Sequence, residues 1–508
     1  MMKRTILAAT LSSGLMVQSA WAMSLMSDEE LADTNGQALF NLSYLSPGDT
    51  SNYEAANNIG FYRLGVEAEI AANLNIKKLQ LGCGGVNGAG GCDIDIDNLS
   101  LSGNSATSNG RVQSDAILTN PFFEFAIKNP NTASTREVVG FRVSAEKAVG
   151  LLTAGLENST TPNGINTISG FMRVQSDSTG YIYGKANTMA RTLVPVANAN
   201  YNINGVPTVL NNEIRANIQV AGLGGAATIE IRTIGGSIII PAMNDIPFIR
   251  PGVVVNANRV QSLPLQATLS VAPINVDWRG VYPAGGTVVY HNPTESPINW
   301  TFPVPQQVQT QGGPLTAEIM NCTGALCFAL PALGLGDGAV LQNAFLKANI
   351  TGITANATIN QGLGYIHSLP INSPFYLSVQ KDDMRWPGSY SGPNPENPSL
   401  TVTDIAKRGW WMSFADPINL GSVDPTQPID IAPLFPQIAT QVTNYLLANP
   451  ATIGFGGLVN ALTGAGDINV TAANPINLSS NPLTLTLTDL QLNGQSFAPN
   501  CYGGLRFC

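Results

Sequence analysis

Charge is scarce in this chain: Asp, Glu, Lys and Arg make up only 11% of its 508 residues, less than half the usual share. Neutral polar groups must therefore cover most of the surface. The charges sum to −9, with Lys and Arg scattered and no basic run. Such a chain repels phosphate backbones, so no nucleic acid partner is expected. Histidine is nearly missing, with only His291 and His367. A Ser-His-Asp arrangement would need one of these two, and neither sits beside a recognisable nucleophile motif. Gly-x-Ser-x-Gly and His-Glu-x-x-His do not occur. Ser144-Ala145-Glu146-Lys147 matches Ser-x-x-Lys, but the Ser-Asp-Asn and Lys-Thr-Gly elements that accompany it in penicillin-binding enzymes are missing. The chain is accordingly expected not to be an enzyme and to need no cofactor. After residue 22 no run of about twenty apolar side chains occurs, so no membrane-spanning helix is expected.

What is present starts with an export signal. Met1-Met2-Lys3-Arg4 is basic, Thr5 to Ser19 is uncharged and largely apolar, and Ala20-Trp21-Ala22 supplies small residues for cleavage. Residues 1–22 therefore read as a secretory signal peptide. No cysteine follows the cleavage site, so no lipoprotein anchor is expected. The six cysteines fall into three close neighbours: Cys83 with Cys92, Cys322 with Cys327, and Cys501 with Cys508. Six cysteines permit fifteen connectivities. The short spacings favour neighbours, and an even count in an exported chain reads as disulfides. A metal reading is weaker, because neither histidine lies near a cysteine pair.

Period two dominates the rest. Leu64, Val66, Ala68, Ile70, Ala72, Leu74 and Ile76 alternate with polar residues, predicting one long strand with this set on its dry face. Ile214 to Val220, Leu265 to Val271 and Leu483 to Leu487 repeat the pattern. Phe123, Phe125 and Ile127, then Val139, Phe141 and Val143, predict a hairpin around the polar loop Asn129 to Thr135. Ile76 to Gly82, Ile96 to Gly103 and Leu487 to Gly494 share a step of three that breaks the alternation. A bulge or a change of buried face explains such a step, and chance likeness among apolar strands is the alternative. Helix is scarce. Pro433 to Leu447 is the best candidate, with Phe435, Ile438, Val442 and Leu446 on one face and Asp430 as a cap; Asp28 to Ala32 is a shorter one. The fold class is therefore all-β: an elongated antiparallel sheet or sandwich with long strands and few short helices.

Proline-rich stretches at Asn292 to Pro314 and Pro387 to Pro398 read as loops. The first is a candidate seam, dividing an N-terminal segment (23–48) and an elongated β domain (49–508) into lobes at 49–295 and 316–508. Asp93, Asp95 and Asp97 lie on one face of a strand and form a weak Ca²⁺ candidate. A solvated acidic strand face is the competing reading, and the row also protects a sheet edge. Arg385-Trp386-Pro387 and Gly409-Trp410-Trp411 read either as contact patches or as rings capping a β core.

The opening Met23 to Phe40, with Ser27-Asp28-Glu29-Glu30-Leu31 and Gly36-Gln37-Ala38, resembles large secreted proteins of gammaproteobacteria. Asn41 to Pro47, Lys77 to Gly103 and Asn120 to Val143 extend the likeness over roughly the first third. Among these proteins the chain is similar to the FilA-like family assigned to a pilus system. The resemblance implies a structural or adhesive role at a surface fibre, with other components of that assembly as partners, and carries over no catalytic residue. The expected location is extracytoplasmic, at the cell surface or outer membrane, with the periplasm as the alternative. A lipid- or hydrophobe-binding outer-membrane protein is the alternative function, and a secreted hydrolase a more distant one. The end Arg506-Phe507-Cys508 lacks the strand pattern that closes a membrane barrel.

Overall fold

The computed structural model describes residues 40–488 and 492–493, apart from 157–162, 223–224, 271–273, 278–286, 292–298, 304–307, 310, 313–314, 329, 334–335, 426, 464–467 and 473. The signal peptide, Asp28 to Ala32 and the Cys501–Cys508 pair lie outside the described residues. The protein is mostly β, with a few short helices. Its largest sheet has 13 strands. Along its main path run Phe40–Leu45, Ile59–Val66, Ala116–Lys128, Glu137–Thr153, Phe375–Gln380, Gly409–Phe414, Ile165–Gln175, Ile94–Ser102 and Leu74–Leu81. A nine-stranded sheet centres on Arg215–Gly222, Gly225–Gly235, Leu315–Gly324 and Val340–Thr351, and a five-stranded one on Ile246–Pro251, Ser262–Ser270 and Thr354–Gly362.

The hairpin expected around Asn129 to Thr135 forms, as Ala116–Lys128 against Glu137–Thr153. Ile214, Ala216, Ile218 and Val220 are buried as the alternation requires. The step of three in Ile96 to Gly103 is a change of face: Asn98 takes a left-handed conformation (φ 49°), which Asn tolerates better than most residues. Beyond it Leu99, Ser100, Leu101 and Ser102 are all buried.

Several expectations are corrected. The long strand from Leu64 to Ile76 is interrupted: Ile59–Val66, Glu69–Ala72 and Leu74–Leu81 are separate strands. Its apolar set is not dry either, since Leu64, Ile70 and Leu74 are exposed. Pro387 to Pro398 is no simple loop; most of it belongs to a hairpin of Ser391–Asn394 and Asn397–Thr403. The sheets are not purely antiparallel. Thr354–Gly362 pairs parallel with Leu483–Thr488, and Arg215–Gly222 with Ala451–Gly454. Nor do the sheets divide at residues 295 and 316. Glu137–Thr153 pairs with Phe375–Gln380, and Gly225–Gly235 with Leu315–Gly324.

Helix Phe435–Ala448 lies over the second and third sheets. Phe435, Ala439, Val442 and Leu446 form its buried face. The Asp430 carboxylate accepts from the Ala432 N–H (3.0 Å), two residues on, at the entry to the short turn before the helix. Gln437 exchanges two bonds with the Thr484 backbone, while Asn217 donates to the Leu447 carbonyl. Thus the helix bridges Leu483–Thr488 and Arg215–Gly222.

Candidate interaction surface

The first four strands of the large sheet set side chains in rows across it. One row is Leu42, Leu64, Phe123 and Val143; the next is Tyr44, Tyr62, Phe125 and Phe141. Because side chains alternate along a strand, these rows share one face. That face is uncovered: Leu42 is 77% exposed, Phe40 60% and Phe123 48%. The rings support one another laterally. Tyr44 stacks on Tyr62 with centroids 4.2 Å apart, and Phe141 lies 5.9 and 5.2 Å from Phe123 and Phe125. Among the described residues, Phe40–Leu45 pairs only with Ile59–Val66. Among the described residues, then, nothing pairs with its outer edge, which runs beside the apolar face; such an edge can accept a further strand.

The opposite face is dry over the inner strands, where it holds charge, while Asn41 and Ser43 on the outermost strand stay exposed. Glu124 pairs with Arg142, both side chains nearly fully buried, and Arg63 lies 3.5 Å from Glu124. Arg142 also donates to the Pro387 carbonyl (3.0 Å) and sits over the Phe122, Tyr376 and Trp386 rings. Desolvation lowers its pKa, and Glu124 opposes that effect. Nearby, Asp404 is fully buried and accepts from Tyr376 Oη (2.6 Å), Ser413 Oγ (2.7 Å) and Trp411 Nε1 (3.1 Å). Burial pushes its carboxyl up, and the Tyr376 phenol is likewise raised by burial and then by Asp404. The rings of Trp386 and Trp411 are fully buried in this cluster. They cap a core rather than present a contact patch.

The remaining candidates separate. Cys83–Cys92 and Cys322–Cys327 are disulfides. Asp95 and Asp97 share Lys78, at 2.7 and 2.9 Å, and both accept from Asn166. The Lys78 ammonium thus occupies the place a cation would take. Asp93 stands apart, accepting from Asn87 Nδ2 and the Trp410 N–H. No three potential ligands gather among the described residues. His367 is buried, with Nδ1 2.8 Å from the Ala154 carbonyl; the His291 side chain is outside the described set. A pocket of about 40 Å³ lies under helix Phe435–Ala448, lined by Ile240, Met243, Ile246, Ala355, Phe435 and Leu485 among others.

The exposed rows were missed because period two identifies two faces without saying which is wet. The available signal was Arg63, Glu124 and Arg142, three charges at the opposite parity to Leu64, Phe123 and Val143.

These features define a disulfide-bonded, mostly β protein matured in an oxidising, extracytoplasmic compartment, with an exposed apolar face on its largest described sheet. No described helix is long and apolar enough to cross a membrane. No family model matches the chain, and neither a curated protein nor a solved structure is similar to it.

Proposed function

We propose that the chain is a non-enzymatic structural or adhesive component of a surface fibre of pilus or fimbrial type, held at the cell surface or outer membrane. The observation that carries this reading is the apolar face Phe40, Leu42, Tyr44, Leu64, Phe123 and Phe125, beside a strand edge that no described residue pairs with. An exposed apolar patch of this breadth marks contact with another molecule, and such an edge allows strand addition. The resemblance of the first third to FilA-like proteins points the same way.

The lipid-carrier reading draws less support. The pocket under helix Phe435–Ala448, about 40 Å³, falls well short of the roughly 150 Å³ that admits benzene in an engineered core. A hydrolase built on His367 would have to act from a ring that is only 3% exposed, with Nδ1 2.8 Å from the Ala154 carbonyl.

Protease treatment of intact cells carrying a tagged copy, against permeabilised cells, tests the proposal. Digestion on intact cells is the expected result. Protection until permeabilisation would overturn the surface location and favour a periplasmic assembly role.

A further inference from the structure

The partner that best fits the apolar face is a second copy of the same face. We infer that two chains pack sheet on sheet through Phe40–Leu45, Ile59–Val66, Ala116–Lys128 and Glu137–Thr153, related by a two-fold axis. This deepens the proposed function by naming the contact's occupant, and it rests on reading the face as a contact surface.

Area is the first argument. Phe40, Leu42, Tyr44, Phe123 and Phe125 keep 60, 77, 42, 48 and 39% of their surface, and Leu64, Val138 and Val143 keep 41, 52 and 38%. With about 150–250 Å² for each whole aromatic side chain, these residues expose roughly 700 Å². That exceeds the roughly 300–600 Å² of the largest patch on a typical monomer. Two such faces together bury about 1,400 Å², within the range of stable interfaces.

Shape and charge agree with this. Paired sheets need inner faces of apolar side chains on adjacent strands, and these four strands supply them in register. No charged residue stands in the rows; charges gather at the strand ends, as a polar rim does around an apolar interface centre. One end carries Glu67, Glu69 and Glu146 against Lys147, and is net acidic. The other mixes Lys128, Arg136 and Lys381 with Asp49, Glu137 and Asp382 and is close to balanced. A two-fold arrangement sets the apolar rows of one copy against those of the other, with both charged rims outside. Such an interface is isologous and closes at two copies.

The test is sedimentation velocity on the purified chain from residue 23 onward, at about 1–100 μM, where a micromolar dimer dissociates. A monomer–dimer equilibrium is expected for the wild type. Leu64→Lys and Phe123→Lys, both at exposed positions two and three strands in, are expected to weaken the dimer at least 100-fold. Circular dichroism and thermal unfolding confirm that each variant is folded. Val86→Lys, on the exposed disulfide loop, is expected to leave the dimer unchanged. A wild type that stays monomeric overturns the inference, as does a dimer that survives both folded lysine variants, which would place the contact at the outer edge of Phe40–Leu45. Surface digestion on intact cells reads independently: a monomer digested there removes the self-pairing and keeps the fibre reading.

Discussion

Phe123 and Glu124 are chain neighbours that face opposite ways, the ring 48% exposed and the carboxylate 2% exposed. The usual assignment of apolar inside and charged outside is reversed here, and Arg142 makes the reversal stable. It pairs with Glu124 and covers the Phe122 ring inside the sheet. A dry charged face and a wet aromatic face are therefore two sides of one arrangement.

Breaking that pair leaves a buried charge without its counterpart. Glu124→Ala is expected to destabilise by about 3–5 kcal/mol. A double variant, Glu124→Leu with Arg142→Met, is expected to recover most of the loss, because the desolvation cost of both charges disappears together. Urea unfolding of the three proteins measures this; a double variant weaker than Glu124→Ala would contradict it.

Asp404 makes stability depend on pH. Burial raises its carboxyl above the ordinary 3.8, while its hydrogen-bond donors and Arg142 pull it partly back. The folded value exceeds the unfolded one, so the folded chain binds the proton more tightly. This contribution is complete below about pH 4 and is lost as pH rises through the folded value. Asp404→Asn abolishes it. Wild-type minus variant stability is thus expected to fall from about pH 4 toward pH 7, and a difference that grows with pH would show the donors outweighing burial.

The Cys83–Cys92 bridge closes a short loop of sequence separation nine. Loop-closure entropy gives such a bridge about 2–3 kcal/mol. Cys83→Ser with Cys92→Ser is expected to lose that amount in chemical denaturation. Val86→Ser, at the same loop's exposed tip, is expected to change stability by less than about 0.5 kcal/mol.

At helix Phe435–Ala448 the cost of truncation follows the packing. Phe435 is fully buried, and Phe435→Ala is expected to cost about 3–5 kcal/mol. Ile438 borders the same cavity as Phe435 but is only half-buried, so Ile438→Ala is expected to cost less than about 2 kcal/mol. Equal losses would mean that the cavity collapses around the helix.

Much of the fold was legible in local patterns. The alternation at Ile214 to Val220 gave a strand and its dry face, because Arg215, Asn217 and Gln219 are all less buried than the apolar set between them. Three of four positions on the Pro433 to Leu447 helix face were right, with Ala439 taking the deeply buried place expected of Ile438. Asp430 does not cap the helix as expected: Leu434 stands at the helix N-cap without a side-chain bond, and Asp430 instead accepts from the Ala432 N–H and pairs with Arg191. The interaction surface was harder. Which parity of Phe122 to Phe125 is dry depends on Arg63 and Arg142, brought beside Glu124 by strand pairing. Asp404 was invisible for the same reason, since Tyr376, Trp411 and Ser413 meet it only after their strands pair. The parallel additions at Ala451–Gly454 and Leu483–Thr488 leave no periodic mark, because a strand's alternation does not record its neighbour's direction.

In the large sheet, Phe375–Gln380 and Gly409–Phe414 sit between Glu137–Thr153 and Ile165–Gln175. As the chain emerges from its N-terminal end, those flanking strands appear early, and the two that belong between them come more than two hundred residues later. The sheet's middle cannot form until residue 414 is available, and Glu137–Thr153 waits with part of its length unpaired. Such long-range pairing slows folding and prolongs the exposure of bare strand edges. The order of strands in the sheet thus makes the last-arriving pair, and not the N-terminal hairpins, the step that commits the molecule to its final form.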